Sequence, residues 1–387
     1  MPSPGVFFAN FGAPPPELPA PTGYHEVELA KTRWVIPDYY SDLRPLGEGA
    51  YGVVCTAEYR GTGERVAIKK FFRPFQSTIH AKRTYREIKL LRRMCHDNVL
   101  EMVDLFTPDP DVSLLNNVYF VSVLIGSDLQ NILKIQRLGD DQIQLLVYQI
   151  LRGLKYIHSA GIIHRDLKPS NIAVNEKCEV KILDFGLARA ADIEMTGYVA
   201  TRWYRAPEIM LNWMHYSQNV DVWSVGCILA ELVSGRALFP GDDHIDQLTR
   251  IMNIVGTPSE DFLLKVQSEE ARNYIRNLPY MPRKDFRQLF PTASPSAIDL
   301  IERMLVLDPD HRISVLDALC HEYLSEYSSP NDEPVSNESL SNDADEENAT
   351  SIEHWREMIW REISSFQASS RRLSCFDEEF EDASSHQ

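Results

Sequence analysis

His164-Arg165-Asp166-Leu167-Lys168-Pro169-Ser170-Asn171, followed thirteen residues later by Asp184-Phe185-Gly186, places a carboxylate, an ammonium and an amide within six residues of one another and a second carboxylate nearby. Asp166 supplies a carboxylate able to orient a hydroxyl and take its proton. Lys168 can neutralise charge on a phosphoryl group in transfer. Asn171 offers a neutral oxygen to Mg2+, and Asp184 can bridge such an ion to phosphates, because a hard cation prefers oxygen ligands. Alone, each Asp or Asn would be an ordinary turn former. Their order lifts the set above that.

Toward the N-terminus, Gly47-Glu48-Gly49-Ala50-Tyr51-Gly52-Val53-Val54 fits G-x-G-x-x-G-x-V. Dinucleotide-binding folds use a similar pattern, but between a strand and a helix. Here β-branched residues and a Gly61-Thr62-Gly63 turn follow, so the glycines belong to a hairpin. Missing side chains let backbone approach phosphate oxygens, which suits a lid over ATP. Lys69 ends the strand Val66-Ala67-Ile68-Lys69. Such a lysine ordinarily reaches solvent; with Glu87 on a helix expected over Ala81–Met94, it can instead be held on the nucleotide phosphates.

The 387 residues carry ordinary hydrophobic (44%) and charged (25%) fractions, enough for a sizeable core. Net charge is −17, and residues 331–387, with 15 acids and four bases, hold −11 of it. No basic face points to nucleic acid. The acidic tail reads as a solvated segment, with recruitment of basic peptides as the alternative. Six scattered cysteines without a Cys-x-x-Cys pair fit a reducing compartment. No apolar run is long enough for a membrane span, and no secretory signal is evident.

Seven prolines in residues 1–23 mark a disordered arm, taken to residue 27. β-type sequence runs from about Tyr40 to Val123, and helical spacing marks Asp141–His158 and Val220–Val233. The expected architecture is therefore α+β and bilobal. A β-rich lobe over 40–123 and a hinge at 123–127 lead into a mainly helical lobe over 128–327. A loop follows over Ser328–Thr350, then an apolar stripe of Ile352, Trp355, Ile359, Ile363 and Phe366 within an extension over 328–366, and a mobile tail over 367–387.

Taken together, these motifs resemble those of a eukaryotic protein kinase, and the resemblance continues through Ala206-Pro207-Glu208 and Asp221-Val222-Trp223-Ser224-Val225-Gly226. It implies the bilobal protein kinase fold, with ATP and Mg2+ as cofactors. Asp166, Lys168, Lys69 and Glu87 would then be catalytic, and Asn171 and Asp184 would hold the metal. The nucleotide would lie against Leu46, Gly47, Gly49, Gly52, Val54, Ala67, Ser122, Leu124, Ile125 and Asp128. It also implies that Glu208 pairs with Arg312. Lys168 resembles serine/threonine kinases rather than tyrosine kinases.

Met195-Thr196-Gly197-Tyr198 resembles the dual phosphorylation lip of mitogen-activated protein kinases, and its glycine the stress-activated p-38 subfamily. The resemblance, over roughly Glu28 to Phe366, implies activation at Thr196 and Tyr198 by an upstream dual-specificity MAP kinase kinase. Arg83, Arg86 and Arg165 would clamp phosphothreonine; Arg202 and Arg205 would meet phosphotyrosine. A phosphate adds about −1.5 to −2 charges. Two or three charge-assisted hydrogen bonds of roughly 1.5–3 kcal/mol each approach the ~5.5 kcal/mol that inverts a 1:99 equilibrium. Arg205 would also shape the lip for Ser-Pro and Thr-Pro substrates. Expected partners are such substrates with basic docking peptides (transcription factors, downstream kinases) and phosphatases, with no direct nucleic acid or membrane contact. A monomer in cytoplasm and nucleus is expected.

Two departures stand out. Ser122 falls where the family commonly has a threonine gatekeeper, which should leave the rear pocket open. The docking patch of Asp332, Glu333 and Glu176 is short of carboxylates, with Ser329, Asn331 and Lys177 at acidic family positions; Asp343, Asp345, Glu346 and Glu347 are candidates to compensate. The rival readings are a pseudokinase scaffold, against which Lys69, Asp166 and Asp184 are all kept, and a small-molecule kinase, which has no use for the lip.

Overall fold

Trp34, Val35 and Ile36 are almost wholly buried, in a strand that needs a partner, and Tyr24–Leu29 supplies it. The computed structural model describes residues 19–49, 52–190, 202–211, 217–340 and 344–367. Its contacts divide the chain into two units, 1–81 with 104–121 and 352–387, and 82–103 with 122–351.

In the first unit, β1 (Tyr24–Leu29) and β2 (Thr32–Pro37) form an antiparallel hairpin. The disordered arm expected to residue 27 therefore gives way to strand at Tyr24. The signal was hidden because Ala30 and Lys31 make the turn with φ of 50° and 62°. Asn and Gly are the residues that usually advertise this two-residue turn.

A five-stranded sheet follows, in the order β3 (Tyr40–Gly49), β4 (Gly52–Tyr59), β5 (Arg65–Phe71), β7 (Tyr119–Val123), β6 (Met102–Phe106). Alternate residues Val53, Cys55 and Ala57 turn onto a core of Trp34, Ile36, Ile68, Phe106, Tyr119 and Val121. Phe106 and Tyr119 stack at 5.0 Å. The C-terminal stripe forms a helix over 352–367 and buries Trp355, Met358, Ile359 and Ile363 in helical register. Arg356 lies 4.8 Å from the Phe75 ring.

The second unit is mainly helical. The helix Asp140–Ser159 buries Ile143, Leu146, Val147, Ile150, Leu154 and Ile157. The helix Asn219–Ser234 is buried nearly all round and ends on Gly235 at φ 70°, a left-handed cap that glycine adopts without strain. The helix expected from Ala81 starts three residues earlier and runs Thr78–Arg93. The expected loop after Ser328 contains a 3-10 turn at Pro330–Asp332 and a short helix, Ala344–Asn348. Among the described residues no helix is long and apolar enough to cross a membrane.

Candidate active site

The loop that carries Asp166 is held from beneath by a carboxylate. Asp221, fully buried on the helix Asn219–Ser234, accepts the backbone N–H groups of His164 and Arg165, each at 2.8 Å, and bonds His158 Nε2 at 2.9 Å. Burial alone would raise the Asp221 carboxyl, but the hydrogen bond and charge of His158, with His164 and the Arg165 amide, outweigh it and hold the group low. Arg165 takes φ 71°, a left-handed conformation that a non-glycine residue keeps only when its surroundings impose it. Asp221 lay inside a motif quoted from the sequence, yet its role was missed. The signal was a lone acid in the mostly apolar run Val220–Ala230.

Above this anchor, Asp166 Oδ2 accepts Lys168 Nζ at 2.8 Å and Asn171 Nδ2 at 3.1 Å, while Asn171 Nδ2 also donates to the Asp166 carbonyl at 2.8 Å. Both amide hydrogens of Asn171 are thus used inward. Its Oδ1 accepts nothing from the described residues and is left as an oxygen donor. The His164 ring bonds the Leu183 carbonyl at 2.9 Å and meets Phe185 edge-on at 5.1 Å, tying this loop to the Asp184 segment.

Asp184 is itself left-handed at φ 59°, and its Oδ1 accepts the Gly186 N–H at 3.1 Å. A Cβ on Gly186 would stand 3.1 Å from Asp184 Oδ1, 3.6 Å from Glu87 Oε2 and 3.7 Å from Arg83 Nη2. Glu87, buried, and Arg83 therefore converge with Asp184 within this unit. Asp166, Lys168 and Asn171 thus form one contact set, and Asp184 with Glu87 and Arg83 around Gly186 a second. Two protein oxygens, from Asn171 and Asp184, match what Mg2+ needs when phosphates and water complete its shell.

The first unit holds the glycine hairpin and Lys69. Gly47 pairs with Val54 and Gly49 with Gly52, so the glycines do sit in a hairpin; Ala50 and Tyr51 lie outside the described residues. A Cβ at Gly52 would meet the Lys70 carbonyl at 2.6 Å, so the fold itself requires glycine there. At Gly47 it would meet no described atom within 4 Å. That glycine is free for close approach by something outside the chain. Lys69 pairs with Val54, its ammonium 5.1 Å from the Phe71 ring and 5.6 Å from Phe120. Leu46 is exposed and Ala67 buried on the same sheet.

In the second unit Ser122 is buried, and Leu124 and Ile125 are half-buried. The Asp128 carboxylate caps the helix Leu129–Ile135, accepting Asn131 N at 2.9 Å and Asn131 Nδ2 at 2.6 Å. Its expected place against nucleotide thus comes with a structural duty.

Thr196 and Tyr198 lie outside the described residues. Arg202 donates to the Asp242 carbonyl, Arg205 N–H to the Arg202 carbonyl at 3.1 Å, and Trp203 Nε1 to the Gly241 carbonyl at 3.0 Å. Arg86 is buried against Glu346.

The docking residues divide. The Asp332 side chain is 75% exposed and meets Arg152 at 3.3 Å, while Arg152 Nε donates to the Asp332 carbonyl at 2.6 Å; Glu176 is exposed. Glu333, with 4% of its side chain exposed, is bound to Lys155 at 3.0 Å and Tyr148 at 3.4 Å. Its expected role as a docking carboxylate is corrected: it staples the segment to the helix Asp140–Ser159. Glu346, expected to compensate in docking, is likewise engaged internally. Glu208 and Arg312 pair as the resemblance implied.

Residues 40–324 match the family model described as the protein kinase domain. The chain is 71% identical to mitogen-activated protein kinase pmk-2 of Caenorhabditis elegans, with 98% of this chain and 96% of that protein covered. It is 65% identical to mitogen-activated protein kinase pmk-1 of the same organism, covering 92% and 93%. Against mitogen-activated protein kinase p38b of Drosophila melanogaster it is 58% identical, covering 89% and 94%.

Proposed function

Because the chain belongs to the protein kinase family, and within it to the p38-type mitogen-activated protein kinases, we propose that it transfers phosphate from ATP to serine or threonine followed by proline. It is a protein serine/threonine kinase of the stress-activated type, for which ATP is the phosphoryl donor. The observation that carries the phosphoryl-transfer reading is the Asp166 carboxylate held between Lys168 and Asn171 at 2.8 and 3.1 Å.

Fixed there, Asp166 accepts the substrate hydroxyl's hydrogen bond and takes its proton as the oxygen attacks. Lys168 offsets charge on the transferred group without moving far, since it already contacts Asp166. Lys69 and Glu87 serve the nucleotide phosphates. Asn171 and Asp184 would hold Mg2+, which when bound neutralises charge on the phosphates.

Activation follows from modification of Thr196 and Tyr198 by an upstream MAP kinase kinase, read by Arg83, Arg86 and Arg165 and by Arg202 and Arg205. Proline has no N–H, so it suits a lip that leaves no acceptor for the residue after the phosphoacceptor. Docking of basic peptides from substrates and phosphatases falls to Asp332 and Glu176, and the enzyme works as a monomer in cytoplasm and nucleus. A peptide library offered to the doubly phosphorylated protein should yield proline after the phosphorylated residue. An even spread of residues at that position would refute the substrate reading.

A further inference from the structure

Four Ser-Pro or Thr-Pro pairs lie among the described residues, and in three of them the hydroxyl is already used. Thr107 is buried, and its Oγ1 accepts the Asp109 N–H at 3.1 Å. Thr257 Oγ1 accepts the Met281 N–H at 2.9 Å, and Ser294 Oγ caps its helix by accepting the Ala297 N–H at 3.3 Å. Ser329, before Pro330, differs. Both residues are exposed, and the Ser329 side chain makes no capping bond to the 3-10 turn Pro330–Asp332 that follows it. Its backbone is extended, at φ −140° and ψ 90°, as a following proline favours. The Asp332 N–H closes the turn on the Ser329 carbonyl at 2.8 Å. An unengaged hydroxyl thus stands on a fixed backbone, one turn from the exposed Asp332 carboxylate.

The surroundings decide what a charge on that hydroxyl does. Arg152 donates through Nε to the Asp332 carbonyl at 2.6 Å and through Nη1 to Asp97 and Asn98 at 3.0 and 2.9 Å. Its Nη2 donates to Asp97 and Asp332 at 3.0 and 3.3 Å, so all three nitrogens are engaged. Lys155 is bound to Glu333 at 3.0 Å. Both cations that pin this segment are therefore committed, while the Asp97 and Asp332 side chains stay 81% and 75% exposed. We propose that Ser329 is a phosphorylation site for a proline-directed kinase of this chain's own specificity, and that its phosphate supplies the charge the docking patch lacks for basic peptides. The proposal rests on Asp332 being a docking carboxylate and on the preference for proline after the phosphoacceptor.

In the step itself Ser329 Oγ attacks the terminal phosphorus of ATP, and the bond from that phosphorus to the bridging oxygen breaks. ADP leaves, and the hydroxyl proton passes to the kinase's aspartate. The phosphate adds about −1.5 to −2 charges. With Arg152 and Lys155 already paired, that charge faces outward, toward the lysines and arginines of a partner. Ser329 stands where the resemblance implies an acid, so modification restores a charge that the unmodified chain lacks and makes docking conditional. A single surface pair changes affinity up to about fivefold; a doubly charged phosphate should tighten a basic peptide about three- to tenfold.

The test has two arms. In the first, isotope-labelled full chain with Asp166→Asn is incubated with doubly phosphorylated wild type, ATP and a Ser-Pro reference peptide, and its phosphates are mapped by mass spectrometry. Phosphate should appear on Ser329 and not on Thr107, Thr257 or Ser294. A modified reference peptide beside an unmodified Ser329 would overturn the proposal. An unmodified reference peptide would fell the substrate reading and the proposal with it. In the second arm, full chain carrying phosphoserine at position 329 is titrated with a fluorescent peptide bearing a Lys-Arg cluster. Binding should tighten about three- to tenfold and weaken more steeply with salt, whereas kinase-treated Ser329→Ala should bind as unmodified wild type does. If Asp332→Asn weakens the peptide but the phosphate changes nothing, the docking reading stands and the proposal is wrong. If neither changes binding, the docking reading falls and takes the proposal with it.

Discussion

Arg312 donates two hydrogen bonds to Glu208, at 2.7 and 3.0 Å, and neither side chain is exposed to solvent. The guanidinium also serves the carbonyls of Asn219 at 2.7 Å and Val306 at 3.0 Å, so its donors are matched as a buried charge requires. One residue thus ties the segment after the lip to the central helix of its unit. Breaking a buried pair costs about 3–5 kcal/mol, because the remaining charge is stranded. Arg312→Ala should lower the unfolding free energy by that amount in urea titration. A loss below about 1 kcal/mol, the range of an exposed pair, would show that the pair does not anchor this segment.

Asp166→Asn keeps the shape of the loop and removes the proton acceptor. Initial rates should show kcat reduced by about 10²- to 10⁴-fold, the usual share of general base catalysis. Nucleotide binding, followed by fluorescence, should persist. Full activity in this variant would remove Asp166 from the chemistry.

Docking should follow exposure, not sequence position. Asp332→Asn should weaken a basic docking peptide up to about fivefold and flatten its salt dependence, as expected for a surface charge. Glu333→Gln should lower the melting temperature instead, because it strands Lys155, and should leave the salt dependence as it is. Equal salt effects of the two changes would contradict the division drawn from their burial.

His96 gives a pH signature. Its ring packs on Tyr156 at 4.9 Å, its Nδ1 accepts the Asn98 N–H at 2.9 Å, and its Nε2 is buried without a partner among the described residues. Burial, followed by the charge of Arg152, pushes the imidazole down to about 4. Between that value and the ordinary 6.5 the unfolded chain binds a proton that the folded chain refuses, so stability rises with pH through this window and is lost on acidification. Melting temperature should fall more steeply from about pH 7 to about pH 5 in the wild type than in His96→Gln. Parallel profiles would assign acid lability elsewhere.

The catalytic half of this molecule was legible because its residues are close in sequence and keep fixed spacing. Asp166, Lys168 and Asn171 fall within one loop, and their mutual contacts follow almost from chain geometry. What escaped was set by contacts between distant segments or by backbone conformation. The Ala30-Lys31 turn uses residues that do not announce positive φ. Asp221 supports His164 across 57 positions, and Glu346 reaches Arg86 across 260. Glu333 looked like a surface acid because no pattern in its neighbourhood marks the buried Lys155. Such pairs are written in the fold, where desolvation decides which charges remain available.

Transfer of the terminal phosphate of ATP is the function proposed for Asp166, Asp184 and Lys69. The measurement that bears on it most directly is incorporation of labelled phosphate from ATP into a Ser-Pro protein, by the full chain after treatment with a dual-specificity activating kinase. Incorporation should rise well above the untreated chain and vanish in Lys69→Met treated the same way. A doubly phosphorylated wild type that labels no protein, or a Lys69→Met variant that labels as well as wild type, would contradict the account.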